Sequence, residues 1–321
     1  MRLGLLSTAN INRAILAGAS ATERVEVVAV ASRDEARARS YAAEKGIPSA
    51  HGSYDGLLAD PEVDAVYISL PNGMHHPWTM KALAAGKHVL CEKPYSRHPD
   101  EVEEAFDAAS AAGLVLAEAF MYRHHPQTAT VRRLVADGEL GRLCAVKTTF
   151  SFPLRNLSDV RALPELDGGA LMDVGCYCVS GIRLLAGDPE HVRGEQVTGP
   201  TGVDMAFHGT LRCANDVVGQ FEASFRSPQR QRLEAVGEDG VLVAEAPWRV
   251  DLGGSLTLTR DGATEVVEVE TADAYTLELV NLADAIDGRA ESLLGREDAV
   301  GQARTIDALY RSAETRAVAT L

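Results

Sequence analysis

Residues 64–94 read DAVYISLPNGMHHPWTMKALAAGKHVLCEKP, and this stretch decides the fold class. Ala65 to Leu70 is a short run of β-branched, aromatic and aliphatic residues, as in a buried strand, and Pro71-Asn72-Gly73 ends it by turn chemistry. His76 to Ala85 predicts a helix with apolar positions at Trp78, Leu83 and Ala84, closed by Gly86 where a left-handed residue is favoured. Lys87 to Cys91 is the next strand. It delivers Glu92-Lys93-Pro94 at its C-terminal end, where open parallel α/β sheets bind ligands. Lys93 is therefore the first functional candidate, against the plainer alternative of a surface lysine in a turn.

The flanking residues repeat the pattern. Arg2 to Leu6 is a strand that runs into Ser7-Thr8-Ala9-Asn10-Ile11-Asn12 and a helix from about Ile11 to Ala19. In a dinucleotide fold this turn carries glycines, so that backbone N–H groups and the helix N-terminus reach a pyrophosphate. Here Ser7, Ala9 and Asn12 stand at the three glycine positions, so the turn reads either as an ordinary βα connection or as a degenerate cofactor loop. Val25 to Ala31 is the second strand, ending in Ser32-Arg33-Asp34-Glu35. A carboxylate at that strand end would hold the adenosine ribose of NAD; Arg33, with Arg37 one turn on, suits a 2′-phosphate and favours NADP, with NAD the alternative. A capping box with Ser32 as N-cap and Glu35 reaching back is compatible with that reading. Helices over Arg33 to Glu44 and Asp100 to Ala112, with strands near Pro48 and at Leu114 to Ala117, complete a parallel, doubly wound sheet by about residue 120.

From Met121 the period changes. Pro126 to Asp137 is a helix, and Leu143 to Phe152 alternates polar and apolar as a half-buried strand does. Further alternating runs at Met205 to Cys213, Val217 to Phe225, Arg232 to Val236, Val241 to Ala244, Ser255 to Thr259 and Glu265 to Glu270 predict an open, mostly antiparallel sheet. The expected organisation is an α/β nucleotide-binding domain over 1–120 and an α+β domain over 121–321 that binds substrate and mediates assembly. Closing helices are expected at about Leu277 to Asp287 and Glu297 to Ala317.

Composition bounds the partners. A net charge of −15 argues against nucleic acid and anionic membranes, which need clustered Lys and Arg. No run reaches the ~18 apolar residues of a membrane span. The five cysteines lack the paired spacing of a disulfide framework or a zinc ribbon, which suits a reducing cytoplasm. Cys176 and Cys178 stand about 200° apart on a helix, so no metal site is expected.

The motifs resemble one family. Pro71-Asn72, His75, the run from Ala85 to Val89, Cys91-Glu92-Lys93-Pro94, the run from Glu118 to Pro126 and the run from Gly168 to Gly175 together look like the signature of the glucose-fructose oxidoreductase, inositol dehydrogenase and rhizopine-catabolism (Gfo/Idh/MocA) oxidoreductases. The resemblance implies a Rossmann domain whose cofactor contacts are Ser7, Thr8, Ala9, Asn10, Ile11, Ser32, Arg33, Arg37, Leu70, Pro71, Asn72, His75, Glu92 and Lys93, with Arg161 reaching cofactor or substrate. Tyr122 and His124 would line a sugar pocket, with His125 beside them. It also places the acid and the proton donor at Asp173 and Tyr177. Most members carry histidine where Tyr177 stands; tyrosine resembles the dihydrodiol dehydrogenase, xylose dehydrogenase and sugar ketoreductase subgroup.

The residues themselves are consistent with that chemistry. On a regular helix Leu171, Val174, Cys178, Ile182 and Leu185 form one stripe, with Asp173 and Tyr177 roughly 100–140° away and, at i and i+4, neighbours of each other. A tyrosine titrates near 10, so proton exchange at neutral pH needs about 4 kcal/mol of phenolate stabilisation, and an ammonium such as that of Lys93 supplies that sign of field. Two functions compete: an NADP-dependent oxidoreductase acting on a sugar or polyol-like alcohol or ketone, and a catalytically silent dinucleotide sensor. Alternating strands with apolar residues on an uncovered face predict a homodimer or homotetramer.

Overall fold

The computed structural model describes residues 1–249, 251 and 253–321, and they form two compact units. The first comprises Met1–Ser96, Asp100–His124 and Asp273–Val300. Its strands are β1 (Arg2–Leu6), β2 (Glu26–Ala31), β3 (Ser49–His51), β4 (Ala65–Ile68), β5 (His88–Glu92) and β6 (Leu116–Ala119). They lie all parallel in the order β3-β2-β1-β4-β5-β6, so the strand order reverses between β1 and β4. Leu3, Leu5, Val66, Tyr67, Ile68 and Val89 are fully buried, as expected of central strands covered on both faces. A boundary at residue 120 leaves out a returning segment: the helix Ala274–Ile286 belongs to this unit and packs against the helix Asn12–Ser20. Gly18 permits the approach, because a Cβ there would lie 2.9 Å from Thr276 N.

One helix presents a different face from the one its composition suggests. His75–Ala84 buries His75, Thr79, Ala82 and Leu83, an i, i+4, i+7, i+8 stripe, whereas Ala84 is exposed and Trp78 is half-buried against the Tyr54 ring at 4.9 Å. Two polar residues thus face the sheet where apolar ones were expected. Gly86 closes the helix with φ +74°.

The second unit comprises Arg97–Pro99, His125–Ala272 and Gly301–Leu321. Among the described residues it holds nine strands: β7 (Leu143–Ser151), β8 (Pro189–Thr198), β9 (Asp204–Cys213), β10 (Val218–Ser224), β11 (Arg230–Gly237), β12 (Gly240–Glu245), β13 (Leu256–Arg260), β14 (Ala263–Val266) and β15 (Ala319–Thr320). Their order is β14-β13-β12-β11-β7-β10-β9-β8-β15, antiparallel except where β10 runs parallel to β7. The helix Cys176–Ala186 packs on β7 and β10. Two glycines set its depth: a Cβ on Gly181 would lie 2.6 Å from the Trp248 ring, and one on Gly219 2.5 Å from Ile182.

Two expectations change here. Pro164–Ala186 contains a segment long and apolar enough to cross a membrane by length and composition, but 78% of it is buried inside the protein, so it is core. The uncovered face of the large sheet is mixed and not simply apolar: Lys147, Arg193, Glu195, His208, Thr210, Arg212 and Gln220 share it with the half-buried Val218, Val236, Val241 and Val243. The large apolar residues of β9, Met205, Phe207 and Leu211, turn to the covered side, as strand alternation requires.

Candidate active site

The first βα turn is built without glycine. Ser7 has φ +147°, a conformation that favours glycine, and its hydroxyl is engaged by Ser69 Oγ at 2.7 Å, Ser69 O at 3.1 Å and the Ala9 N–H at 3.1 Å. Asn12, at the third glycine position, is fully buried; its amide donates to Ser7 O at 2.8 Å and accepts from Ser69 Oγ at 2.8 Å. A Ser7–Ser69–Asn12 polar cluster therefore does the packing that glycines do elsewhere. The role of Ser69 was missed from sequence; a serine at the end of an otherwise apolar strand was its only signal. Thr8, Ala9, Asn10 and Ile11 follow at the surface of this turn.

At the end of β2 the cap differs from the one expected. The helix Glu35–Lys45 is capped by Asp34, whose carboxylate accepts from Arg37 N at 3.1 Å, while Ser32 Oγ accepts only from Asp34 N. The N-cap falls two residues later because Asp34 holds the extended backbone that a cap requires, at φ −124° and ψ 117°. The nearest acid is thereby turned into the helix end. Arg37 Nε donates to Thr8 Oγ1 at 2.8 Å, bringing its guanidinium to the first turn. Burial raises the pKa of Tyr54, and Arg33 and Arg37 pull it back, Arg33 also through a hydrogen bond. The charges of Arg33 and Arg37 are thus both felt at the Tyr54 hydroxyl.

The Lys93 main chain is held on both sides. Glu92 accepts from the Tyr67 hydroxyl and from Lys93 N at 3.3 Å, and the Lys93–Pro94 peptide is cis. His75, fully buried, has Nδ1 2.9 Å from Pro94 O and Nε2 2.8 Å from Leu70 O. Tyr95 N donates to the buried Glu118 at 2.8 Å. His75 was expected at the cofactor; its ring lies between the carbonyls of Leu70 and Pro94, linking the Leu70-Pro71-Asn72 turn to Pro94. Tyr67 and Glu118 were missed, although a carboxylate inside the strand Leu116–Ala119 is a signal of a buried task. Glu278, also buried, is pushed well above the usual carboxylate range by burial and by Glu92.

In the second unit, every residue from Leu171 to Arg183 is buried except Asp173 and Tyr177, which are half-buried. The expected apolar stripe is therefore nearly a full circle, with Leu185 itself only half-buried. Nor is the segment a regular α-helix throughout: Leu171–Gly175 is a π-turn that continues into Cys176–Ala186. Arg161 Nε donates to Asp173 Oδ2 at 2.9 Å and its Nη1 to Asp159 at 3.2 Å, so Arg161 orients Asp173 directly. Tyr177 lies edge-on to Phe150, centroids 5.4 Å apart, and 6.0 Å from Trp248, which is fully buried and donates to Thr149 O. Sequence reading missed both aromatic supports, since they lie 27 residues before and 71 after Tyr177 in the chain.

The remaining candidates divide. Tyr122 is 2% exposed and packs edge-on to Phe120, so its ring is core. His125 is buried and caps the helix Pro126–Ala136, its Nδ1 accepting from Gln127 N at 3.0 Å. His124 is pushed down to about 4 by burial and by Arg123. Its folded pKa lies below the unfolded value near 6.5, so its contribution is intact above pH 6.5 and is lost as pH falls from 6.5 toward 4, by roughly 3 kcal/mol. His124→Gln should therefore show a smaller fall in thermal midpoint across that interval than the wild type; equal falls contradict the assignment. Among the described residues no group of three or more His, Cys, Asp or Glu side chains has the arrangement to hold a metal.

Comparison with known proteins agrees with this geometry. The model of the oxidoreductase family with an NAD-binding Rossmann fold matches residues 3–120, and that of the GFO/IDH/MocA C-terminal domain matches residues 128–243. The chain is 42% identical to the D-xylose 1-dehydrogenase (NADP(+)) 2 of Haloferax volcanii over the full length of both. It is 35% identical to a dTDP-3,4-didehydro-2,6-dideoxy-alpha-D-glucose 3-reductase of Streptomyces violaceoruber, over 89% of this chain and 85% of that one. Among solved structures it resembles KijD10, a 3-ketoreductase from Actinomadura kijaniata in complex with NADP and TDP-benzene, at 28% identity and a TM-score of 0.92 over 97% of each chain. With both halves matched and a full-length relative at this identity, the chain belongs to the GFO/IDH/MocA oxidoreductase family.

Proposed function

We propose that this protein is an NADP-dependent oxidoreductase that moves a hydride between nicotinamide and a sugar or polyol-like alcohol or ketone, as an aldose dehydrogenase or a ketosugar reductase. The observation that carries the reading is the helix on which Asp173 and Tyr177 are the two openings in an otherwise buried surface, in a chain alike along its whole length to an NADP-dependent xylose dehydrogenase. NADP, when bound, takes or supplies the hydride. The residues present fit it: a tight first turn at Ser7–Ile11 beside two arginines, with the neighbouring acid Asp34 turned into a helix cap.

In the reductive direction the Tyr177 hydroxyl gives its proton to the substrate oxygen as the carbonyl carbon gains hydride; in the oxidative direction it takes that proton back. Lys93 polarises the same oxygen and stabilises the phenolate. Asp173, oriented by Arg161, accepts a hydrogen bond from a second substrate hydroxyl. Ser32, Asn72 and Glu92 contribute to the dinucleotide site, and His124, neutral at physiological pH, adds a polar group for sugar. Incubation with NADP and D-xylose or other aldoses, and with NADPH and ketosugars or nucleotide-linked ketosugars, should change nicotinamide absorbance for at least one substrate. Binding of NADPH with no turnover across the panel supports the silent-sensor alternative.

The proposal extends to a cytoplasmic homodimer or homotetramer. The support is the uncovered face of the nine-stranded sheet, whose mixed charges suit a polar interface between copies. Light scattering at micromolar concentration should return a multiple of the 34.2 kDa chain mass; the mass of one chain contradicts it.

A further inference from the structure

The second unit holds a buried carboxylate that the proposed chemistry does not use. Asp204, the first residue of β9, is 4% exposed. Its Oδ2 accepts from the Leu171 N–H at 2.7 Å, and its Oδ1 accepts from the Tyr310 hydroxyl at 2.9 Å. The carboxylate is packed directly on the glycine pair: a Cβ on Gly169, which has φ +132°, would lie 2.2 Å from Asp204 Oδ1 and 3.2 Å from the Tyr310 hydroxyl oxygen. Tyr310 is itself fixed on two sides. The Phe207 ring meets it edge-on with centroids 5.6 Å apart, and the Arg97 guanidinium lies 5.4 Å from its centroid. Arg97 Nε is in turn 3.4 Å from Asp167 Oδ1, just before the glycine pair. Residues 167–171 are thus bracketed by Asp204 and Tyr310 at one end and by Arg97 at the other.

This bracket opens onto the π-turn Leu171–Gly175, which contains Asp173 and leads into the helix turn that carries Tyr177. A π-turn is rare and is a poorer local choice than α-helix, so contacts outside the helix must hold it. The Leu171 N–H is at the helix start, where backbone donors have no partner within the helix. Burial pushes Asp204 up to about 6, opposed by its bonds from Leu171 and Tyr310, so an ionised carboxylate here is a costly choice for structure alone.

We infer that Asp204 and Tyr310 are positioning residues for proton transfer: by holding the Leu171 N–H and the glycine pair they set where Asp173 and Tyr177 stand. The inference rests on the roles proposed for Asp173 and Tyr177. Displacement of a reacting group by about 1 Å can cost 10²-fold in rate. Asp204→Ala should therefore lower kcat by about 10- to 100-fold, with KM for D-xylose, or for the panel sugar turned over fastest, and Kd for NADPH each within about 3-fold of wild type. Asp204→Asn keeps an oxygen for the Leu171 N–H and offers an amide hydrogen to the Tyr310 oxygen, and should restore most of kcat. Tyr310→Phe deletes one hydroxyl and should lower kcat about 3- to 10-fold, which decides the matter if Asp204→Ala does not fold.

A wild-type kcat in Tyr310→Phe, or in folded Asp204→Ala, overturns the inference. So does a loss confined to KM and NADPH affinity, or an Asp204→Asn variant as slow as Asp204→Ala. Tyr177→Phe measured in parallel separates the two levels. If it is slow while the Asp204 and Tyr310 variants are fast, only the positioning role fails; if it is fast, the site assignment beneath it fails.

Discussion

Tyr177→Phe is expected to lower kcat by roughly 10²–10⁴, the range of general acid–base catalysis, with NADPH affinity little changed. The substitution keeps the ring between Phe150 and Trp248 and removes only the exchangeable proton. Such an interaction strengthens as charge develops on the substrate oxygen, so its loss appears in kcat and not in ground-state binding. Lys93→Met should be as damaging. The double variant should be scarcely worse than either single, because partners in one step are not additive. Tyr177→His should keep measurable turnover with an altered pH profile. A wild-type rate in Tyr177→Phe would transfer the proton-donor role to water or to His124.

The second large effect concerns cofactor choice. Arg33 and Arg37 both approach Tyr54, Arg37 is tied to Thr8, and Asp34 is engaged as a helix cap. A 2′-phosphate at this position would meet two guanidinium groups. Hydrogen bonds to charged groups contribute about 1.5–3 kcal/mol each, so Arg33→Ala should weaken NADPH binding by roughly 10- to 100-fold while NADH binding changes little. Arg33→Asp should reverse the preference. Equal dissociation constants for NADPH and NADH in the wild type, by fluorescence titration, contradict the assignment.

The parallel sheet was legible because its strands are short apolar runs buried on both faces and its helices end at glycines such as Gly46 and Gly86, both at positive φ. The ten-residue strand β8 was not, because burial falls only on Pro189, Val192 and Gly194 and the rest of the strand is polar or exposed. A strand with so few buried side chains has no clear alternation to detect. The return of Asp273–Val300 to the first unit was equally hidden: periodicity reports that a helix has an apolar face, not which sheet receives it.

At the site, residue types were legible and their tasks less so. Lys93, Asp173 and Tyr177 were singled out from motif and helical phase, yet the π-turn at Leu171–Gly175 alters that phase, and its first N–H donates to Asp204, 33 residues away. His75 was placed at the cofactor by the family resemblance; in the fold its side chain is fully buried. Ser7 and Asn12 looked like losses from a glycine motif, and the structure shows them engaged with Ser69. In each case the deciding partner is distant in sequence, so no local pattern could reveal it.

The most direct test of the account is transfer of deuterium. The purified enzyme is incubated with NADPH carrying deuterium at the transferring C4 position and with the ketosugar or sugar lactone matching its best panel substrate, and the product is examined by mass spectrometry. The account predicts one deuterium on the new carbinol carbon, and its near disappearance in Tyr177→Phe over the same interval. NADPH binding by wild-type protein with no deuterium transferred to any carbonyl substrate would contradict it.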